Sequence, residues 1–177
     1  GWSRPASAPH MHDSYAPSPT DAGTGAFDCR HGRREAVPGT CNLIAPGEWH
    51  TGQPTSSKGW DYRNIHVDRE TMSRLLRDLE WKGPPEVSFR YPLVSDPVLA
   101  HRIRRALASF EDPDASQLER EVRLMSVVSR LVTHHASPDQ PLRPVGREPR
   151  AVRQAMEWIE AHACKGVSLQ SLATVAG

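Results

Sequence analysis

The sequence predicts an α+β protein, a small antiparallel β-structure followed by a helical region and a last helical segment. Three observations carry this prediction. Between Phe27 and Val67 short alternations of apolar and polar residues are broken every few positions by Pro or Gly, the pattern of short strands joined by tight turns. From Asp68 onward apolar residues recur at three- and four-residue intervals, the period of helices lying on a core. The stretch "ASPDQPLRPVGREP", Ala136 to Pro149, is rich in proline and charge with little to bury, and reads as a semi-extended linker before a further helical pattern.

In the first region Phe27 and Cys29 alternate with polar residues before the turn at Arg30 to Arg33. Val37 leads into Pro38-Gly39, Thr40 to Ile44 reads as a strand, and Pro46-Gly47 turns the chain again. In "WDYRNIHV", Trp60, Tyr62, Asn64 and His66 share one face of an extended chain, with Ile65 and Val67 on the other. Pro17 and Pro19 both lack the N–H that a central strand donates, so the segment after Tyr15 is expected to be an edge strand, a loop or no strand at all. Closely spaced short strands of this kind suggest a small antiparallel barrel or sandwich.

In the second region "DRETMSRLLRDLEWKG" offers Asp68 as N-cap, a face of Met72, Leu75, Leu76 and Leu79, and a stop at Gly83-Pro84-Pro85. The next helix opens on Asp96-Pro97, with Leu99, Ile103, Ala106, Leu107 and Phe110 as its stripe. A third carries the capping pattern Ser116 with Glu119 and is expected to bury Leu118, Val122, Met125, Val128, Leu131 and Val132. The short "EDPDA" between these two makes them an antiparallel pair. Their arginines, Arg102, Arg104, Arg105, Arg120, Arg123 and Arg130, alternate with Glu and fall mostly opposite the apolar stripe, so a solvated face is expected. Beyond the linker Val152, Met156, Ile159 and Ala163 mark another helix. Ser168 then caps a short segment with Leu169, Leu172, Ala173 and Ala176 on one face, and Gly177 follows.

Composition limits the function classes. A net charge of +1 over 177 residues lacks the strong basicity of a dedicated nucleic-acid binder. The mean hydropathy of -0.58 describes a polar, soluble chain. No apolar run approaches the ~18 residues of a membrane span, and "GWSRPASAPH" is no signal peptide. The three cysteines, Cys29, Cys41 and Cys164, are spaced for neither a zinc site nor a disulfide framework. They point to a reducing, cytoplasmic setting and are read as buried free thiols, with pairing of Cys29 and Cys41 the alternative.

These residues carry a family resemblance. "AVRQAMEWIEAHACKGVSLQSLATVAG" resembles the opening of the DNA-binding domain of the AraC family of bacterial transcription regulators, through Trp158-Ile159-Glu160, Val167-Ser168-Leu169, Leu172-Ala173 and Gly177. Upstream, "HDSY", "AGTGAFDCRHGRREAVPGT", "LIAPGEWHTG" and "WDYRNIHVD" resemble the cupin-like sensor arm of the same family. The resemblance implies a cupin-like effector-sensing barrel over 1–67, a helical dimerisation region over 68–135, a linker over 136–149 and the start of a helix-turn-helix over 150–177. It implies DNA as partner through the C-terminal domain of the full-length protein, a small-molecule effector, a homodimer, and no enzyme activity. The recognition helix expected after Gly177 is not in the sequence, so the chain reads as the sensor part of a longer regulator.

The candidate site residues lie in the arm. His10 and His12 form H-x-H, whose side chains share a strand face, and His50 lies in "PGEWH", which resembles the second cupin motif. Together they suit a divalent metal in principle. Metal-binding cupins usually add a Glu shortly after H-x-H, whereas Ala16 and Pro17 stand there and no Glu occurs before Glu35. The expectation is therefore no metal and no cofactor, with His12 and His50 as polar lining of a ligand pocket and Tyr15, Trp49, Trp60 and Tyr62 as its aromatic members. Glu48 is expected to be an exposed turn carboxylate. The alternative function is a metal-dependent cupin enzyme, an oxygenase or isomerase, using His10, His12 and His50. A third reading is a sensor or interaction module that works without DNA.

Overall fold

Strand β2, Ser14–Gly23, is the spine of the molecule. The computed structural model describes residues 7–29, 32–137, 154–155, 158–159, 162 and 169–176. The chain divides into two compact units, Gly1–Leu142 and Arg143–Gly177. In the first, β1 (Ser7–His10), β6 (His50–Pro54), β3 (Gly25–Cys29) and β4 (Gly32–Ala36) form a four-stranded sheet in that order. β7 (Trp60–Tyr62), β2, β5 (Thr40–Ile44) and β9 (Leu93–Ser95) form the second sheet, with β8 (Val67–Asp68) also on β2. The described ladders within each sheet are antiparallel, and the two sheets do not close into a single barrel. The second sheet thus takes β9 from beyond residue 67, where the sensing arm was expected to end.

The prolines are the clearest departure from expectation: β2 is a central strand although it contains Pro17 and Pro19. They face Leu43 and Cys41 of β5 in register. The Leu43 N–H donates to Pro92 on the far side of β5, so Leu43 and Pro17 form a pair that exchanges no hydrogen bonds. The missing donor of Pro17 therefore points away from β5, as does its carbonyl, which accepts from the Ile65 N–H. On that side β8 covers only Ser14 and Tyr15, and β7 begins at Thr20. Both prolines fall in the gap between β7 and β8, where no ladder bond is lost.

Alternation along β2 and β5 sorts side chains between two environments. Tyr15, Cys41 and Leu43 turn to the helical side and join the main core. Ala16, Ser18, Asn42 and Ile44 turn to a cavity lined by both sheets. On the helical side α1 (Arg69–Asp78) contributes Met72 and Leu75, α2 (Pro97–Glu111) Leu99 and Ile103, and α3 (Gln117–His135) Val128 and Leu131. Asp68, Asp96 and Ser116 cap these helices, accepting from Thr71, Leu99 and Glu119 N–H groups. Cys29 and Cys41 are both buried and no disulfide joins them, and burial pushes the Cys41 thiol up to about 12. Cys164 lies outside the described residues, as do 138–149 of the expected linker.

Two helix expectations need correction. Phe110, Leu118 and Val122 are 49%, 70% and 56% exposed. The fully buried residues of α2 end at Ser109 and those of α3 begin at Val127, with Leu124 and Met125 partly buried against the core, so the turn end of the hairpin projects beyond it. The arginines are more than a solvated face. Arg104 binds Asp21, Arg130 binds Asp96, Arg102 donates to the Ser126 carbonyl, and Arg120 donates to those of Ser109 and Asp112. α3 ends in a β-bridge, Ala136 to Phe89, with the Ser137 N–H donating to Ser88. In the second unit α4, Leu169–Ala176, covers the expected last helix. Val152, Met156, Ala163, Ser168 and Gly177 lie outside the described residues. Among the described residues no helix is long and apolar enough to cross a membrane.

Candidate functional site

The turn "APGEWH" organises one end of the cavity. Gly47 adopts φ +73, a left-handed conformation that costs glycine nothing, and its N–H donates to the His12 carbonyl at 2.9 Å. Glu48 is buried, against the expectation of an exposed carboxylate. Its Oε2 accepts from the Ala45 N–H at 3.2 Å, closing the turn from within. The Glu48 carbonyl then accepts from His50 Nδ1 at 2.8 Å. One turn thus holds both the backbone of His12 and the imidazole of His50.

Four imidazoles meet there. The His10 and His50 ring centres are 4.3 Å apart, His12 and His50 5.0 Å, His10 and His12 6.3 Å, and His12 and His66 5.1 Å. His10 Nδ1 bonds the Ala8 carbonyl and His12 Nδ1 the Ser14 carbonyl, each at 2.9 Å. A carbonyl only accepts, so Nδ1 of His10, His12 and His50 carries the proton and Nε2 keeps a lone pair in the neutral ring. Ser14 Oγ lies 2.9 Å from His66 Nδ1 and links that ring to His12. Burial lowers the pKa of His12 and His50; the carbonyl bonds oppose this and the neighbouring histidines add to it. Both rings are therefore neutral at pH 7. Among the described residues no group of three or more His, Cys, Asp or Glu is placed so that it could hold a metal ion.

The cavity encloses about 570 Å³, within the range of small-molecule sites. Its apolar part comes from Ala16, Phe27 and Ile44, with Trp60 packed against them. Trp60 stacks obliquely on Tyr62 at 4.4 Å and donates from Nε1 to Thr20 Oγ1 at 3.1 Å. Gly25 makes room for that indole: a Cβ at this position would stand 1.9 Å from Trp60 Cδ2. The polar part is Ser18, Asn42 and Asn64. Ser18 Oγ donates to Asn64 Oδ1, whereas Asn42, 6% exposed, has its Oδ1 without a hydrogen-bond partner. A buried orphan acceptor is costly in an empty protein; beside a cavity it is a contact waiting for a donor.

The structure brings His12, His50, Trp60 and Tyr62 to this cavity, and His10 with them. It does not bring Tyr15 or Trp49. Tyr15 sits one position out of phase with Ala16, on the helical side of β2, where its hydroxyl accepts from the Val87 N–H at 3.1 Å and burial raises its pKa. Trp49, just before His50, is 47% exposed and does not line the cavity. His66, Asn42, Ser18 and Asn64 also line the cavity and are not among the residues expected there from the sequence. For His66 and Asn64 the signal was present, since both share the Trp60 and Tyr62 face of "WDYRNIHV".

The two sheets thus hold a polar and aromatic cavity of small-molecule size between their layers, with helices covering one outer face. Residues 3–128 match the AraC-like ligand binding domain, and the chain belongs to that family. It is 22% identical over 172 residues to the uncharacterized HTH-type transcriptional regulator YbfI of Bacillus subtilis (strain 168), covering 95% of this chain and 60% of that protein. The chain thus spans about three-fifths of its relative's length. Among solved structures it is similar to the AraC-like transcriptional activator CuxR, with TM-score 0.51 and 15% identity, over 98% of this chain and 63% of that one. It is also similar to ToxT from Vibrio cholerae, with TM-score 0.53 and 9% identity, over 96% and 63%. At these identities the likeness concerns the fold.

Proposed function

We propose that this chain is the sensing part of a sequence-specific DNA-binding transcription regulator, and that a small molecule bound in the cavity is its effector. The observation that carries this reading is the cavity itself, set in a ligand-binding domain whose Bacillus relative is named an HTH-type regulator. The arm binds and does no chemistry. A ligand acts by its differential affinity for two arrangements of the protein. DNA is contacted by the C-terminal domain of the full-length protein, α4 being part of its first helix-turn-helix. The exposed Phe110, Leu118 and Val122 at the turn of the α2–α3 hairpin support a homodimer contact.

The test compares binding to labelled upstream DNA by this chain and by the gene product carrying whatever follows Gly177, across a salt series. Binding by the longer protein alone, with affinity falling steeply as salt rises through counterion release, is the expected result. A longer protein that ignores DNA at low salt refutes the reading.

A further inference from the structure

We propose that the effector is a small organic cation, a primary ammonium group on an apolar body, held by the acceptors of the cavity and the Trp60–Tyr62 aromatic pair. Its role as effector rests on the sensor reading above; the ligand class comes from the lining itself. The side chains of the lining have largely spent their donors and kept their acceptors. Ser18 Oγ donates to Asn64 Oδ1, Thr51 Oγ1 to Asp28 Oδ2 at 3.1 Å, and Trp60 Nε1 to Thr20 Oγ1. The side-chain amides and the Tyr62 hydroxyl are the neutral donors that remain. On the other side of the ledger, Nδ1 of His10, His12 and His50 is committed to a backbone carbonyl, so each neutral ring keeps a lone pair on Nε2. Accepting a bond there leaves the Nδ1 contacts intact. Asn42, 6% exposed, adds an Oδ1 without a partner.

Charge points the same way. No lysine or arginine lines the cavity, and Asp61 is its carboxylate. Arg63, two positions on, pairs with Asp21 and leaves Asp61 without a cation among the described residues. A carboxylate or phosphate ligand would meet that charge with nothing to balance its own, and an unpaired anion is costly to take out of water. An ammonium is the complement: it donates three hydrogen bonds, accepts none, and is attracted to the face of an aromatic ring. The Trp60 and Tyr62 rings lie 4.4 Å apart, inclined by 38°, and both line the cavity. Ala16, Phe27 and Ile44 supply the apolar wall for the body of the ligand. A neutral polyol needs donors as well as acceptors from its site, and here the Ser18 and Thr51 hydroxyls are already engaged.

The experiment titrates the untagged 177-residue chain by calorimetry near neutral pH with three probes of one shape: phenylpropylammonium, neutral phenylpropanol and anionic phenylpropanoate. Saturable one-to-one binding of the ammonium is expected, on the order of tenfold tighter than the alcohol, with no binding of the carboxylate. Asp61→Asn, at an exposed position, should weaken the ammonium about fivefold and leave the alcohol unchanged. Glu111→Gln, which removes an exposed carboxylate at the end of α2, should change neither. The wild-type comparison of the three probes stands without any variant. Equal affinity for alcohol and ammonium, preference for the carboxylate, no saturable ammonium binding at millimolar concentration, or equal losses in the two variants overturns the proposal. A longer protein whose DNA binding answers to a neutral or anionic effector and not to the ammonium defeats this inference and leaves the sensor reading standing. Ammonium binding that leaves the DNA binding of the longer protein unchanged refutes the sensor reading and leaves the ligand class.

Discussion

Replacing Asp96 with Asn should destabilise the first unit by about 3 kcal/mol. Asp96 is 4% exposed and is bound on every side. Its Oδ1 accepts from the Leu99 N–H at 2.9 Å and Arg130 Nη2 at 3.2 Å, and its Oδ2 from Arg130 Nε at 2.9 Å and His135 Nε2 at 2.7 Å. Burial pushes its carboxyl up, but the Arg130 bonds, the Leu99 N–H and His135 together outweigh this and hold it far below the usual carboxylate range. Asparagine keeps the cap acceptor and the shape, so the loss falls on the ionic contacts. Breaking a buried pair costs roughly 3–5 kcal/mol; Arg130 keeps a quarter of its side chain in water, which places the cost at the lower end. The melting temperature should fall by roughly 6–12 °C for a unit of this size. The assay is urea unfolding followed by circular dichroism, wild type against variant, from pH 7 downward. Because the folded pKa is depressed, the carboxylate's contribution is full above the unfolded value near 4 and is lost as pH falls below it. The gap between the proteins should therefore hold from pH 7 to about pH 5 and shrink with further acid. A variant within about 0.5 kcal/mol of wild type at pH 7, or a gap that widens in acid, refutes the argument.

Three further outcomes follow from the same geometry. Asn42→Leu removes a buried acceptor without a partner and should raise stability by about 0.5–2 kcal/mol; a lower urea midpoint would show that the amide is satisfied in the free protein. Gly25→Ala forces the Trp60 ring to move and should cost about 1–3 kcal/mol with a change in tryptophan emission; unchanged stability and emission would mean the indole is not packed on that backbone. Leu131→Ala in the core should cost about 2–5 kcal/mol, whereas Leu118→Ala should stay within about 0.5 kcal/mol. Equal losses at the two positions in thermal melts of dilute protein would contradict the observed edge of the core.

Much of this fold was legible because its signals are local. The caps at Asp68, Asp96 and Ser116 announce themselves by residue type, and the period change after Val67 marks the first helix. What stayed hidden depends on partners distant in sequence. A strand through Pro17 and Pro19 is admissible only when the neighbouring strands leave a gap there, and no local rule contains that condition. Leu118 and Val122 continue the stripe of α3 faithfully; their exposure reflects where the rest of the core stops. The site shows the same division. The face shared by Trp60, Tyr62, Asn64 and His66 follows from alternation, and that face lines the cavity. Tyr15 and Trp49 lay beside site residues in sequence, and in an extended chain the adjacent side chain points to the opposite face. Asn42 looked unremarkable inside "TCNLI" because its significance depends on the cavity beside it.

The prolines of β2 also act as a key for alignment. If β2 slipped by one residue against β5, both imino nitrogens would turn towards β5, and two positions that should donate across the ladder would be silent, at about 1 kcal/mol each. The same slip would carry Ser18 into the apolar core and Tyr15 into the cavity. Residues that look like breakers therefore penalise the nearest misaligned pairing while costing the native one nothing. That penalty protects the phase on which both the helical core and the histidine cluster depend.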